Sequence, residues 1–213
     1  MNSSLNVLIG LAIGLNLVAL GTGRLQALIR IVALQGVILG CIPLLIKPDF
    51  HIIIWGFTLI TVLMKGFVIP SLLRWASRAA NVDRDVTPMI GFVPSLLLGA
   101  AGMVAALMLS FQLPLLPEHH GSLLVGGSMA TIIAGFLLLV GRSKAIAQIC
   151  GYLVLENGIY LFGLLLVHSI PLLVEAGILL DLIVGVFVAG IVLDRIQRTF
   201  DSLDTRNLNI LKE

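Results

Sequence analysis

Ala145-Ile-Ala-Gln-Ile-Cys-Gly-Tyr-Leu-Val-Leu-Glu-Asn-Gly-Ile-Tyr-Leu-Phe-Gly-Leu-Leu-Leu-Val-His168 decides the fold, because it is a long apolar run with one charged side chain, Glu156, near its middle. A helix needs ~20 mainly apolar residues to cross the hydrocarbon of a bilayer, and this stretch exceeds that. A carboxylate at that depth costs several kcal/mol on insertion scales and ~10 or more in simulation-based ones. It is therefore neutral, paired or wetted, and each of these states points towards proton or ion handling. The plainer alternative is a carboxyl that only hydrogen-bonds a neighbouring helix.

The rest of the chain has the same character. It is 59% hydrophobic and 11% charged, with mean hydropathy +1.12, whereas soluble domains carry about 25% charged residues. The composition is that of an integral membrane protein in contact with lipid, and the small positive charge does not indicate nucleic acid. Seven stretches are long and apolar enough to span: 4–21, 25–46, 51–74, 88–111, 122–141, 145–168 and 172–193. Turn-forming residues separate them, as in Gly21-Thr-Gly-Arg24, Lys47-Pro-Asp49 and Gly141-Arg-Ser-Lys144. The first run lacks a basic leader and a small-residue cleavage pattern, so it reads as a helix and not as a signal peptide. The fold class expected is an all-α, polytopic membrane bundle of about seven helices.

Basic residues choose the orientation. Arg24, Arg74, Arg78, Arg84, Arg142, Lys144, Arg195, Arg198, Arg206 and Lys212 fall on one side of a seven-span arrangement, and Lys47 on the other. The N-terminus is then outside and the C-terminus cytoplasmic. Arg30 sits close enough to an end to snorkel; Lys65 does not. Cys41 and Cys150 lie in apolar runs without partners at metal-ligand spacing, and the histidines (His119, His120 and His168 among them) have no ligand partner either. No metal or cofactor is expected in this chain.

Counting inward from the basic anchors, Gln35 is eleven residues past Arg24, Glu156 twelve past Lys144, and Asp181 fourteen before Arg195. With Lys65, four polar groups on four helices share a depth near the midplane. Gln148, Tyr152, Glu156 and Tyr160 recur every fourth residue and form a stripe on one helix face. Thr58, Thr61 and Lys65 share a face in the same way. The candidate proton or ion pathway residues are Glu156, Asp181, Lys65, Gln35, Tyr152 and Tyr160.

From Gly141 to Glu213 the chain resembles the three-helix K subunit of respiratory complex I. The likeness rests on the basic turn Gly141-Arg-Ser-Lys144, the Glu156-Asn157 pair, the acid at Asp181 and the closing Leu203-Asp-Thr-Arg-Asn-Leu-Asn-Ile-Leu-Lys-Glu213. Its length, together with Leu63-Met-Lys-Gly-Phe-Val-Ile-Pro70 and Gly151-Tyr-Leu-Val-Leu-Glu-Asn-Gly158, is similar to a longer relative: membrane component E of hydrogenase-4, of the formate hydrogenlyase and group 4 nickel–iron hydrogenase systems. The resemblance implies a non-redox subunit of the prokaryotic inner membrane. It would sit among antiporter-like and complex-I-like subunits, with a cytoplasmic nickel–iron and iron–sulfur arm. It also implies that Glu156 and Asp181 stand where the K subunit holds two mid-membrane glutamates, with Asp181 one methylene shorter. A single membrane domain follows, with a three-helix first part (1–87), an extra helix and outer loop (88–121), and a K-like part (122–213). Arg24 to Gly36 echoes 142–158 in layout, which raises a parallel repeat with Gln35 in the acid's place. A structural anchor and a small stand-alone transporter are the competing functions.

Overall fold

The computed structural model describes residues 2–46, 52–79, 86, 88–113, 123–164 and 190. Helices α1 (Asn2–Gly21), α2 (Leu25–Gly40) and the short α3 (Ile42–Ile46) come first. Next are α4 (Ile52–Leu63), a π-helical segment (Met64–Val68) and α5 (Ile69–Ala79), which run on as one rod. Then follow α6 (Phe92–Gln112), α7 (Leu124–Gly141) and α8 (Ala145–Gly163). Among the described residues, six helical stretches are long and apolar enough to cross a membrane: Ser3–Gly21, Leu25–Leu45, Thr58–Arg78, Phe92–Gln112, Leu124–Gly141 and Ala145–Gly163. These correspond to the first six expected spans. The third shifts most, because α5 continues past the expected end at 74 to Ala79. The expected seventh span, with Asp181 and Glu175, lies outside the described residues.

The surface identifies the solvent. Helix α6 buries Ser95, Gly99, Met103 and Ala106 along one stripe. It leaves Val93, Leu97, Val104, Met108 and Phe111 exposed. A helix apolar on all sides belongs in lipid. Helices α2 and α8 each begin directly after a basic residue, Arg24 and Lys144, with no side-chain cap. A cation at a helix N-terminus opposes the dipole by ~0.3–1 kcal/mol, while attraction to an anionic leaflet is worth about 1 kcal/mol per basic residue. The two effects nearly balance, so topology is free to place the charges.

The interior has three layers along the membrane normal. One apolar cluster holds Ala19 and Leu20 of α1, Leu25 to Val32 of α2, Leu73 of α5, Leu138 of α7 and Ile146 to Val154 of α8. The other holds Leu5, Ile9 and Ala12 of α1, Leu39 of α2, Leu124 of α7 and Leu161 of α8. On α1, α2 and α8 the buried polar residues Asn16, Gln35, Glu156 and Asn157 fall between the two clusters, and on α7 Ser128 and Thr131 lie where the first cluster ends, at Ala130. Helices α7 and α8 pack most intimately. A Cβ added at Gly135 would overlap the backbone of Leu155, so the two helices touch main chain to main chain.

Arg142, one of the basic residues that mark one side in the sequence, is not exposed to solvent. It is 1% exposed, the largest fully buried side chain described. Its Nη2 donates to the carbonyls of Leu20 at 2.6 Å and Ala19 at 3.5 Å, capping the last turn of α1 alongside the Thr22 N–H, which also reaches the Ala19 carbonyl. Its guanidinium lies 5.4 Å from the centre of the Phe92 ring. Burial lowers its pKa from the ordinary value. The surrounding backbone is knitted by Met89 N–H to Gly141 O (2.9 Å) and Val86 N–H to Gly23 O (2.6 Å). Arg142 thus ties three loops together at the basic end of the bundle. Arg142→Met removes charge-assisted hydrogen bonds worth about 2 kcal/mol, so a lower thermal midpoint in detergent is expected; an unchanged midpoint would contradict this role.

Candidate functional site: a buried lysine–glutamate pair in a polar layer

The third rod is built to present Lys65. Pro70 has no N–H to return to the carbonyl of Gly66, and its ring crowds that turn. The helix responds by widening: the N–H of Ile69 bonds the carbonyl of Met64, five residues back. Such π-bulges are frequent at functional sites. The rod's inward face carries Thr58, Thr61 and Lys65, all buried, while Leu59, Ile60 and Leu63 face outward. Opposite the lysine, α2 offers Gly36, where a Cβ would come within 2.8 Å of Lys65 Cβ. Only glycine leaves room for the stem.

The amine meets α8. Lys65 Nζ donates to Glu156 Oε1 at 2.8 Å and to Asn157 Oδ1 at 2.9 Å, and it lies 5.4 Å from the centre of the Tyr160 ring. Both members of the ion pair are buried, at 8% and 2% exposure. An unpaired charge here would be far costlier than a paired one. Glu156 Oε2 is also buried and has no hydrogen-bond partner among the described residues.

From the amine a hydrogen-bond chain crosses the bundle. Asn157 Nδ2 donates to Gln35 Oε1 (3.4 Å), and Gln35 Nε2 to Asn16 Oδ1 (2.6 Å) and to the Ala12 carbonyl (3.4 Å). Asn16 Nδ2 donates to Thr131 Oγ1 (3.0 Å), whose hydroxyl donates to the Gly127 carbonyl (2.7 Å). Every donor points away from Lys65. The chain runs from the π-helical segment through α8, α2 and α1 to α7. A crevice between α2, α5 and α8 reaches Lys65 and Asn157 from one side.

Of the residues singled out in the sequence, Lys65 and Glu156 are in direct contact, and Gln35 is joined to them through Asn157. Tyr160 borders the amine and is half-buried, as is Tyr152. Gln148 of the same stripe donates to the Arg142 carbonyl at 2.9 Å and belongs to the basic junction. Asp181 lies outside the described residues. Asn16, Thr131 and the linking role of Asn157 were not anticipated. A signal existed: Asn16 is eight residues before Arg24 and Thr131 eleven before Arg142, the same depth rule applied to uncharged side chains.

No family model matches the chain, and no solved structure matches it. Among curated proteins, it is 31% identical over 193 residues to the uncharacterized protein Rv0085 of Mycobacterium tuberculosis, covering 89% of this chain and 87% of that one. It is 28% identical over 166 residues to the hydrogenase-4 component E of Escherichia coli K12, covering 76% of this chain and 74% of the relative. The component E of Shigella flexneri matches to the same extent. The alignments take in most of the length on both sides, and the apolar helices are what the resemblance led one to expect. The chain is a multi-pass membrane protein of the same family as Rv0085, and it is similar over most of its length to hydrogenase-4 component E.

Proposed function

We propose that this chain is a non-redox membrane subunit of a multisubunit, complex-I-like membrane-bound hydrogenase in a prokaryotic cytoplasmic membrane. In this reading Lys65 and Glu156 form a proton-exchanging pair on a midplane pathway coupled to electron transfer in a cytoplasmic nickel–iron and iron–sulfur arm. The observation that carries the proposal is the buried 2.8 Å contact between Lys65 and Glu156, set in a polar layer between two apolar clusters.

The chemistry divides the roles. Amines and carboxyls can gain and lose a proton, whereas amides do not. Conduction therefore belongs to Lys65 and Glu156, and Asn157, Gln35, Asn16 and Thr131 orient and polarise the amine. The unpartnered Oε2 of Glu156 is available to a further group, and Asp181 is the acid whose depth suits it. Tyr160 borders the pair and Tyr152 lies one turn from Glu156 on the same stripe; both are placed to support a path along α8. Antiporter-like subunits in the same membrane would receive the path.

The arrangement into 1–87, 88–121 and 122–213 is supported by contacts between the outer parts: α1 with α7 through Asn16 and Thr131, and α2 with α8 through Gln35 and Asn157. Such pairing is what a parallel repeat about an axis along the membrane normal produces.

Glu156→Gln tests the function. The amide keeps an acceptor for Lys65 but cannot release a proton. The complex should assemble and transfer electrons, while proton movement in proteoliposomes falls to the leak level. Coupling equal to that of the wild type would sink the proposal.

A further inference from the structure

The third rod also marks where the membrane begins and ends. The chain has two tryptophans, Trp55 and Trp75, one near each end of the rod formed by α4, the π-helical segment and α5. Both are exposed, at 50% and 52%. Twenty residues separate them, about 30 Å at helical rise, which is the thickness of the hydrocarbon. Tryptophan collects at the two membrane–water interfaces, so the pair marks both, with Lys65 midway between. The end of α5 beyond Trp75 then stands among the lipid headgroups on the basic side of the bundle.

That end of α5 has a divided surface. Ile69, Leu73, Ala76 and Ser77 are buried in the bundle, while Ser71, Arg74, Trp75 and Arg78 make the outward face. An arginine at the edge of the hydrocarbon ordinarily extends its head outwards to water. Arg74 is turned the other way. Its Nε donates to the Pro70 carbonyl at 3.1 Å and its Nη2 to Ser71 Oγ at 3.4 Å, both about one turn nearer the midplane. Helical side chains lean towards the N-terminus of their helix, but that lean does not supply the counter-charge a guanidinium at this depth needs. Glu156 is the only acid among the described residues, and Lys65 holds it. Nearer the midplane the rod exposes Phe67 and Val68. The surface therefore passes from two arginines, through an indole and a hydroxyl, to hydrocarbon. A phospholipid changes in the same order from phosphate to acyl chain.

We infer that this face of α5 is a binding site for an anionic phospholipid, with Arg74 and Arg78 on the phosphate, Trp75 beside the glycerol, and the acyl chains along Val68 and Phe67. Arginine suits phosphate through its planar fork of donors. Arg74 keeps Nη1 for that purpose, while Nε and Nη2 are fixed to its own helix. The headgroup must carry net negative charge, because two arginines without a carboxylate meet one phosphate, and a zwitterionic lipid brings its own cation. An acidic protein surface would answer the charge, but not the indole at headgroup depth or the apolar residues beneath it. The inference is independent of proton exchange at Lys65 and Glu156.

The experiment uses the full chain carrying Trp55→Phe, so that Trp75 is the only indole, in nanodiscs of phosphatidylcholine. A small fraction of the lipid carries a nitroxide near the top of one acyl chain, on either phosphatidylglycerol or phosphatidylcholine. Quenching of Trp75 fluorescence then gives the ratio of the two affinities. Phosphatidylglycerol should be preferred by roughly twentyfold, ~1.8 kcal/mol, as two basic residues facing an anionic lipid give. Arg74→Gln together with Arg78→Gln should bring the ratio close to unity. Arg78→Gln alone, an exposed side chain with no part in the core, should lower it by roughly fivefold. Arg24→Gln, also exposed at the basic end, should leave it within about twofold. Equal quenching by the two lipids with both arginines present would overturn the site and leave them to an acidic protein surface. A ratio lowered as much by Arg24→Gln would also overturn it, because the preference would belong to the diffuse charge of the whole basic end. Relief of quenching by millimolar inorganic phosphate would do so as well, by showing a site for the free ion and not for lipid.

Discussion

Lys65→Met is expected to cost about 3–5 kcal/mol, because it leaves the Glu156 carboxylate buried without its partner. Methionine fills nearly the same volume as lysine, so the loss is electrostatic and not a matter of packing. The geometry leaves Glu156 little recourse: at 2% exposure it cannot reach water, and its Oε2 already lacks a partner among the described residues. The loss of the Asn157 contact adds to the cost, since Asn157 Oδ1 receives the second bond from the amine. Adding Glu156→Gln to Lys65→Met should recover most of the lost stability, because a neutral amide among Asn157 and Tyr160 carries no charge to desolvate. Thermal unfolding of the detergent-solubilised protein, read as a double-mutant cycle, measures this. A double variant no better than the single one would mean that the pair is not the interaction the geometry describes. A stable double variant also separates function from folding. It should assemble yet move no protons, whereas a subunit that served only as an anchor would leave coupling intact.

The spans and the depth of the polar groups were legible in the sequence for a plain reason. In lipid each helix must satisfy its own backbone, so length and hydropathy fix the crossings almost without reference to neighbours. Counting from Arg24 and Lys144 then placed Gln35 and Glu156 at one level, and the two apolar clusters above and below them follow that level. What the count could not supply was rotation about each helix axis. Gln35 meets Asn157 and Asn16, and not Lys65 directly, because Gly36 occupies the face of α2 that lies against the lysine stem. The burial of Arg142 was not legible for a related reason. Basic residues in loops normally face the interface, but the last carbonyls of α1 end where Arg142 can cap them, and only the relative heights of α1 and α7 reveal it. The π-helical widening at Met64–Val68 had a visible cause in Pro70, although a proline signals a disturbed turn without saying whether the helix bends, breaks or widens.

Gly135→Ala should destabilise the bundle and uncouple it together, whereas Gly14→Ala should do neither. In a helix interior, alanine is ordinarily favoured over glycine by about 1 kcal/mol. Gly14 lies where an added Cβ meets nothing within 4 Å, so that gain should appear undiminished as a neutral or slightly raised thermal midpoint. At Gly135 the same methyl would overlap the backbone nitrogen and Cα of Leu155. Backbone atoms cannot swing aside like the end of a side chain, so α7 and α8 must move apart, and overpacking of this kind costs about 1–3 kcal/mol or more. The displacement falls on Leu155, the residue before Glu156, while Lys65 is held on a different rod against Gly36. Moving α8 therefore lengthens the 2.8 Å contact between Lys65 and Glu156 without touching either side chain. A loss of coupling that exceeds the loss of assembled complex would tie function to the spacing of the pair. Equal losses would mean that α8 moves only when the whole subunit unfolds, and a midpoint raised as at Gly14 would show that the close approach of α7 and α8 at this point is wrong.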